Sequence, residues 1–272
     1  MKIVNSIACP DRIFETSGSQ PALYLCDDLN YYVCKYNRHP GGEAKKLLHE
    51  FLAGHFAQIW HLAVPDFCLV NVNPLHVEAQ SFLQPSFFKN VCFGSKYNSK
   101  LVEVDAFYDE MSTSVKRKFG FKYDFLKIAL FDIWLANEDR NFNNYNLLID
   151  IENENRFVPI DHDAIFNTGN LNLGIALLSE NETLIYTELT KRLFCSEELR
   201  NSEFMKNIKK EYYICISECK RNVENILRTI PVDWNVNIND YLNLFDKYLF
   251  NKKWIDESFN HFQSLIQLQF KK

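Results

Sequence analysis

Two short apolar runs, each bordered by acids and amides, constrain this chain more than any other stretch. The first run, Asn146–Ile151, follows a polar segment that carries Asp139 and Asn144. The second run, Phe157–Ile160, stops abruptly at the sequence Asp-His-Asp, residues 161–163. Short apolar runs bounded by polar turns are typical of buried strands. We therefore expect two strands flanked by carboxylates and amides, as a site for Mg-nucleotide phosphotransfer requires.

The polar residues around these runs can be given separate roles in phosphoryl transfer. Asp139 is the candidate base, which orients the attacking hydroxyl and accepts its proton. Asp161 and one amide, Asn144 or Asn146, are the candidate Mg²⁺ ligands. Arg140 either holds the transferring phosphate or pairs with a carboxylate. Read without Asp161, the aspartate at 139 would be a residue that caps a turn.

Two separated segments resemble the HipA-like kinases, which are distant relatives of the protein kinases and of the phosphatidylinositol kinases. They are NEDRNFNNYNLL at 137–148 and VPIDHDAIF at 158–166. The resemblance spans about Ile13 to Phe166 and implies ATP and Mg²⁺ as cofactors. The family pattern retains both Asn144 and Asn146, and we prefer Asn144 as the metal ligand. Because the chain has Asp-His-Asp where protein kinases have Asp-Phe-Gly, no switch by a flipping Phe is expected.

The N-terminal third combines a predicted hairpin with a long helix. The runs Ala22–Cys26 and Tyr31–Lys35 are separated by a turn-forming segment and predict two antiparallel strands. The helix predicted at Gly42–Trp60 carries Glu50 on a narrow strip beside small residues, where another element can approach closely and shelter the carboxylate. Lys35 and Glu50 are ordinary surface charges or, as the family pattern implies, a pair that serves the nucleotide phosphates.

A small polar loop precedes the first of these strands. Its residues Ser17, Gly18 and Ser19 could cover phosphates through their backbone N–H groups, although the same composition describes any surface loop. The loop is similar to the S-G-x-Q-P loop of HipA-like kinases. That resemblance implies a nucleotide-binding role for the three residues and places Ser17 at the serine that the family can autophosphorylate.

Further short runs follow the long helix. Strands are predicted at Phe67–Val72 and around His76–Leu83. Val91–Ser95 contains a glycine turn, near the place where a linker between two lobes is expected. If this is the hinge, backbone groups in the range 82–93 hydrogen-bond adenine.

The second half of the chain is predicted to be mostly helical. A helix is expected at Tyr123–Leu135, and Asn167–Gly174 is expected to form a loop like an activation segment. Amphipathic helices are predicted at Leu199–Ile230 and Trp234–Leu268, with a break at Pro231.

Together with the resemblance, these elements predict an α+β, two-lobed kinase-like fold. The small β-rich lobe with its one long helix is expected in residues 1–95. The larger, mostly helical lobe is expected in residues 96–272, and the two lobes form one kinase domain.

Composition excludes several classes of protein. The 272 residues carry a formal net charge of −5, which gives no basic field for nucleic acid or an anionic membrane. Apolar runs are too short to span a bilayer, and no signal peptide is visible. The eight cysteines contain no C-x-x-C pair and indicate reduced thiols of a cytoplasmic protein.

These observations lead to one expected activity and several alternatives. The expectation is ATP- and Mg-dependent phosphoryl transfer to a Ser or Thr hydroxyl on a protein, as in a HipA-like kinase. The alternatives are a kinase of a lipid or small molecule, and a pseudokinase that binds nucleotide without turnover. The family resemblance also implies an antitoxin-like protein partner.

Overall fold

The computed structural model describes residues 1–16, 19–39, 41–77, 82–104, 122–152, 156–200 and 202–271. The chain divides into two compact units. The first unit contains Met1–Gly54, Pro65–Ser99 and Asn225–Ile238, and the second contains His55–Val64, Lys100–Glu224 and Asn239–Lys272. The sequence analysis divided the chain once, into lobes 1–95 and 96–272. It did not predict that residues 225–238 belong to the first unit or that residues 55–64 belong to the second.

The strands are β1 (Ile3–Asn5), β2 (Arg12–Ile13), β3 (Ala22–Leu25), β4 (Tyr31–Lys35), β5 (Phe67–Asn71), β6 (Cys92–Lys96), β7 (Leu101–Glu103), β8 (Leu147–Asp150) and β9 (Arg156–Pro159). The α-helices are α1 (Lys45–Ile59), α2 (Lys122–Leu135), α3 (Glu188–Leu193), α4 (Ser196–Arg200), α5 (Ser202–Leu227), α6 (Ile238–Leu244) and α7 (Lys252–Gln269). A further short helical segment, Ile165–Gly169, has left-handed φ values at residues 166–168. The mixed α+β fold class that the sequence predicts is confirmed.

The first unit is built on a six-stranded sheet in the order β1-β5-β6-β4-β3-β2. The predicted hairpin is present, with Leu23 paired to Val33 and Tyr24 to Tyr32. Asp28 fixes its turn, because its carboxylate accepts hydrogen bonds from the backbone N–H of Asn30 at 3.1 Å and from the hydroxyl of Tyr32 at 2.8 Å. The two strands formed by the first residues of the chain, β1 and β2, were not predicted.

The glycine turn predicted in Val91–Ser95 is wrong, because residues 92–95 belong to strand β6. Gly94 lies in β6, between Cys34 of β4 and Cys68 of β5. A Cβ atom at this position would lie 2.4 Å from a methyl carbon of Val70. Glycine is therefore needed here because another strand's side chain approaches the backbone closely, which is a common reason for glycine inside a strand.

A segment from late in the sequence completes the first unit. Trp234 is fully buried, its indole N–H donates to the carbonyl of Val91 at 2.7 Å, and its ring meets that of Phe51 edge to face. The backbone N–H of Ala44, just before α1, donates to the carbonyl of Trp234 at 3.0 Å. This segment therefore holds both the beginning of β6 and the beginning of α1.

The second unit contains the three-stranded sheet β7-β8-β9. The two apolar runs of the sequence form the antiparallel pair β8–β9, in which Leu147 faces Pro159 and Ile149 faces Phe157. Helix α2 confirms the predicted helix and is buried on nearly every side, because apolar residues follow one another along it without a polar face. The ring of its Trp134 stacks on Trp60 with centroids 5.6 Å apart.

The long amphipathic helices α5 and α7 pack in the same unit. The hydroxyl of Tyr212 on α5 lies 2.7 Å from that of Ser258 on α7. The single helix predicted at Trp234–Leu268 is wrong, because the chain turns at Asn235, which has a left-handed backbone, and restarts at Asn251, whose side chain caps α7. Residues 245–249 between them form one π-helical turn.

Three smaller predictions can also be compared with the structure. Of the strand expected around His76–Leu83, residues 74–76 form a 3₁₀ turn and residues 78–81 lie outside the described residues. The cysteines in the described residues are free thiols, as expected. Within the described ranges, no helix has both the length and the apolar content that crossing a bilayer demands.

Candidate functional site

The loop between α2 and β8 places the candidate base beside both candidate amides. Asn141 and Asn144 exchange backbone hydrogen bonds of 2.9 and 3.2 Å, which closes a tight turn. The turn brings the side-chain amide of Asn144 to 3.1 Å from Oδ2 of Asp139, and the amide of Asn146 lies 3.0 Å from the same oxygen. Both asparagines therefore hold one carboxylate oxygen, and the geometry does not choose between them as metal ligands.

Negative charge is concentrated around this loop. Burial raises the pKa of Asp139 above its ordinary value, and repulsion from Asp161 and Asp163 acts in the same direction. The hydrogen bonds from Asn144 and Asn146 act against this rise because they favour the ionised carboxylate. The fold of the second unit thus brings Asp139 near two carboxylates, those of Asp161 and Asp163, that lie 22 and 24 positions later in the sequence.

Asp161 reaches the site through the end of β9. Leu147 and Pro159 are paired at the ends of β8 and β9, so the residues just beyond them, Asn146 and Asp161, lie at the same edge of the small sheet. Asp161 has a left-handed backbone with φ 57°. Such a φ is uncommon for a residue with a side chain and often marks a functional position.

Arg140 pairs with a carboxylate, which is one of the two roles considered from the sequence. Its side chain is fully buried and forms an ion pair with Asp132 of α2. One guanidinium nitrogen also donates to the carbonyl of Ile160 at 2.6 Å. In this conformation the guanidinium has no exposed surface and is paired with Asp132, so its contacts are those of a positioning residue, and the catalytic role of Arg140 stays a prediction.

Glu138, on the other side of Asp139, holds the segment that follows the Asp-His-Asp motif. Its carboxylate accepts hydrogen bonds from the side chains of Asn167, at 3.1 Å, and Thr168, at 2.5 Å. Phe166, Asn167 and Thr168 all have left-handed φ values, between 50° and 60°. The expected activation-segment-like loop therefore begins as a left-handed turn fixed by Glu138.

The donor set fits a hard divalent cation. Asp161 and the amide oxygen of Asn144 or Asn146 are oxygen ligands of the kind that Mg²⁺ prefers, and Mg²⁺ usually takes its remaining ligands from water and substrate phosphates. Repulsion among Asp139, Asp161 and Asp163 is what a cation at this place would relieve. Within the described ranges, no group of three or more His, Cys, Asp or Glu side chains forms a metal site by itself.

In the first unit, Lys35 and Glu50 are brought together. Nζ of Lys35, the last residue of β4, lies 2.5 Å from Oε1 of Glu50 on α1. Both side chains are largely shielded from solvent. The narrow strip of small residues beside Glu50 fits this burial, because a Cβ at Gly54 would lie only 3.0 Å from the ring of Phe67 on β5.

The predicted phosphate loop is described only in part. Ser17 and Gly18 lie outside the described residues. The carbonyl of Ser19 accepts a hydrogen bond from Arg38 at 3.0 Å, and that of Gln20 accepts one from Tyr36 at 3.0 Å. These bonds tie the end of the loop to the residues just after β4, and the role of the loop stays a prediction.

The adenine contact expected in residues 82–93 does not fit Val91 or Phe93. The N–H of Val91 donates to the carboxylate of Asp233 at 2.8 Å, and its carbonyl accepts from Trp234. Phe93 is paired with strands on both sides, at Lys35 and Leu69. For the rest of the range 82–93, the adenine contact stays a prediction.

Sequence reasoning missed Asp132 and Glu138. Asp132 interrupts the apolar C-terminal half of α2, and an acid within a buried apolar run is a signal that a buried cation lies nearby. Glu138 gave no such signal, because its partners are 29 and 30 positions away.

Comparisons with known proteins identify the family and the fold. A family model described as HipA-like kinase matches residues 11–264. The crystal structure of CtkA, a proinflammatory kinase of Helicobacter pylori, has a similar fold, with a TM-score of 0.58 and 14% sequence identity over 100% of both chains. At that identity the likeness concerns the fold alone. A search of curated proteins gave no match.

Proposed function

The chain belongs to the HipA-like kinase family, and we propose that it transfers the γ-phosphoryl group of ATP to a Ser or Thr hydroxyl of a protein. The observation that carries the proposal is the environment of Asp139. One of its carboxylate oxygens is held by two amides, and two further carboxylates lie close enough to affect its pKa. A turn-capping aspartate would need neither feature.

Asp139 acts as the base that orients the acceptor. Because Asn144 and Asn146 both hold Oδ2, the carboxylate has a fixed orientation. Its other oxygen, Oδ1, accepts a hydrogen bond and then the proton from the attacking hydroxyl. Positioning and electrostatic stabilisation supply most of the catalysis in phosphoryl transfer, so a base of this kind needs a fixed position more than a high pKa.

Asp161, with the amide oxygen of Asn144 or Asn146, would hold Mg²⁺. The metal supplies positive charge to the phosphate oxygens when bound. Lys35 is proposed to bind the α- and β-phosphates while Glu50 keeps its ammonium in place. The Ser17–Ser19 loop is proposed to cover the phosphates through its backbone N–H groups.

The test is incubation of the purified protein with γ-labelled ATP and Mg²⁺, together with a total protein extract as acceptor. Label in phosphoserine or phosphothreonine that is lost in Asp139→Ala and Asp161→Ala supports the proposal. The control is Glu152→Ala, which changes an exposed acid in the turn after β8.

Other outcomes of the same experiment favour the alternatives. Label that enters only lipid or small molecules would identify another acceptor class. Thermal stabilisation by Mg-ATP without any label transfer or ADP formation would indicate a pseudokinase. Equal label in wild type and both aspartate variants would contradict kinase activity at this site.

A further inference from the structure

The guanidinium of Arg140 joins four parts of the second unit. It forms the ion pair with Asp132 on α2 and donates to the carbonyl of Ile160 at 2.6 Å. It lies 3.2 Å from Nε2 of His162, and its Nε donates to the carbonyl of Asn146 at 3.4 Å. Its side chain has no exposed surface, and that of Asp132 is 2% exposed.

Two of these partners flank the candidate metal ligand. Ile160 precedes Asp161 and His162 follows it, so Arg140 holds the chain on both sides of Asp161. Asp161 itself has the left-handed φ of 57°. This conformation is uncommon for a residue with a side chain, although aspartate adopts it more readily than most residues do. The two contacts from Arg140 hold the backbone on either side of it.

The other two partners fix where the guanidinium sits. The carbonyl of Asn146 accepts hydrogen bonds from Arg140 and from the N–H of Ile160, the latter at 3.0 Å. Asp132 receives a further hydrogen bond from the amide of Asn137 at 3.0 Å. Asp132 is thereby anchored to the start of the catalytic loop, and the planar fork of Arg140 extends from it to the ends of β8 and β9.

Stability does not explain such an arrangement well. A buried ion pair contributes little net stability, because the loss of solvation offsets the attraction. The other oxygen of Asp132, Oδ2, is buried and has no hydrogen-bond partner among the described residues. A planar guanidinium that donates hydrogen bonds to two backbone carbonyls does, however, fix the conformation of the backbone around them.

We propose that Arg140, oriented by Asp132, is a positioning residue that sets the backbone conformation of Asp161 and so the geometry of the metal site. The inference deepens the proposed function and depends on it for the metal. That Arg140 holds the backbone of residues 160–162 rests on its contacts with Ile160 and His162 alone and does not depend on the metal.

The test compares Arg140→Lys with a matched substitution, Arg156→Lys. Lysine keeps the charge next to Asp132 but cannot reach the carbonyl of Ile160 and His162 at the same time. Arg156 also pairs with a carboxylate of α2, that of Asp124, with distances of 2.8 and 2.9 Å. Its hydrogen bonds to Asp124 and to the carbonyl of His61 make it a control for the loss of an arginine–carboxylate pair on the same helix.

Two quantities are measured in each variant. Hydrogen exchange of a peptide covering 157–163 is expected to be about tenfold faster in Arg140→Lys and unchanged in Arg156→Lys. Affinity for Mn²⁺, measured with a non-hydrolysable ATP analogue present, is expected to fall about tenfold in Arg140→Lys alone, as for other residues that orient metal ligands. If Arg140→Lys does not fold, Asp132→Asn removes the carboxylate that orients Arg140, and faster exchange in 157–163 is expected there too.

The two measurements separate this inference from the proposed function. Exchange in 157–163 that is the same in both lysine variants would overturn the positioning role of Arg140. A wild-type protein that binds no Mn²⁺ would contradict the proposed function, while the exchange result would still decide what Arg140 does.

Discussion

Lys35 and Glu50, fifteen positions apart in the sequence, form a shielded ion pair in the first unit. Their side chains are 13% and 5% exposed, and Nζ and Oε1 are 2.5 Å apart. An intact buried ion pair contributes little net stability, whereas breaking it by removing one member is strongly destabilising. The pair is therefore better explained by its effect on the position of the Lys35 ammonium than by its contribution to stability.

We expect Glu50→Gln to lower the free energy of unfolding by about 3 kcal/mol, because the substitution breaks a buried ion pair by removing one of its members. Urea denaturation at pH 7 measures this change. The control is Glu43→Gln, in the more exposed Glu43–Lys45 pair at 4.0 Å, where a loss below about 1 kcal/mol is expected. Equal losses in the two variants would contradict the account of the Lys35–Glu50 pair.

We expect Gly94→Ala to destabilise the first unit by about 1–3 kcal/mol, because the new Cβ would lie 2.4 Å from a methyl carbon of Val70. Gly42→Ala is the matched control, since the nearest atom to a Cβ there is a carbonyl oxygen at 3.7 Å. Thermal melts of both variants make the comparison. A Gly94→Ala protein as stable as Gly42→Ala would show that the strands part easily at this point.

The sequence predicted the elements whose signals are local. Strand β4 was predicted with its observed bounds, and β8 and β9 to within a residue or so, because apolar runs and turn residues mark them directly. The small residues near Glu50 indicated shelter for a carboxylate, and the side chain is buried. The proximity of Asp139 to two amides followed from their short spacing in one loop.

Features that depend on distant residues were not predicted. The return of Trp234 to the first unit has no local signal, since its partners Val91 and Ala44 lie far away in the sequence. The glycine of Val91–Ser95 was assigned to a turn, whereas its cause is the approach of Val70 from a neighbouring strand. Arg140 was given a catalytic alternative because nothing local showed that Asp132 would hold it.

Stability should fall in mild acid because of His55. Burial lowers the pKa of His55 to about 4, from an ordinary value of 6.5. As the pH falls below 6.5, the unfolded chain therefore binds a proton that the folded protein does not, and the free energy of unfolding falls until about pH 4. From pH 7 to pH 5 this group should account for a loss of about 2 kcal/mol.

The contribution of His55 is isolated by comparison with His55→Gln, which has no group that titrates there. Urea denaturation of both proteins at pH 7 and pH 5 should show a steeper loss in the wild type. Parallel losses in the two proteins would mean that His55 titrates normally in the folded state.

We expect Glu138→Gln to loosen the left-handed turn at 166–168, because an amide cannot accept both side-chain hydrogen bonds as strongly as the carboxylate does. The free energy of unfolding should fall by about 1–2 kcal/mol, and limited proteolysis near Thr168 should become faster. Glu152→Gln, at an exposed position, should change neither quantity. Unchanged proteolysis in Glu138→Gln would show that the turn at 166–168 does not depend on the hydrogen bonds of Glu138.

The most direct test of the phosphotransfer site is the rate of ADP formation from Mg-ATP in Asp139→Asn and Asp161→Asn, beside Glu152→Gln. We predict a fall of at least about 100-fold in the two aspartate variants and none in the control. The raised pKa of Asp139 means that folding disfavours its ionised form at pH 7, so Asp139→Asn should be at least as stable as the wild type in metal-free buffer. A folded Asp139→Asn protein that forms ADP at the wild-type rate would contradict the account.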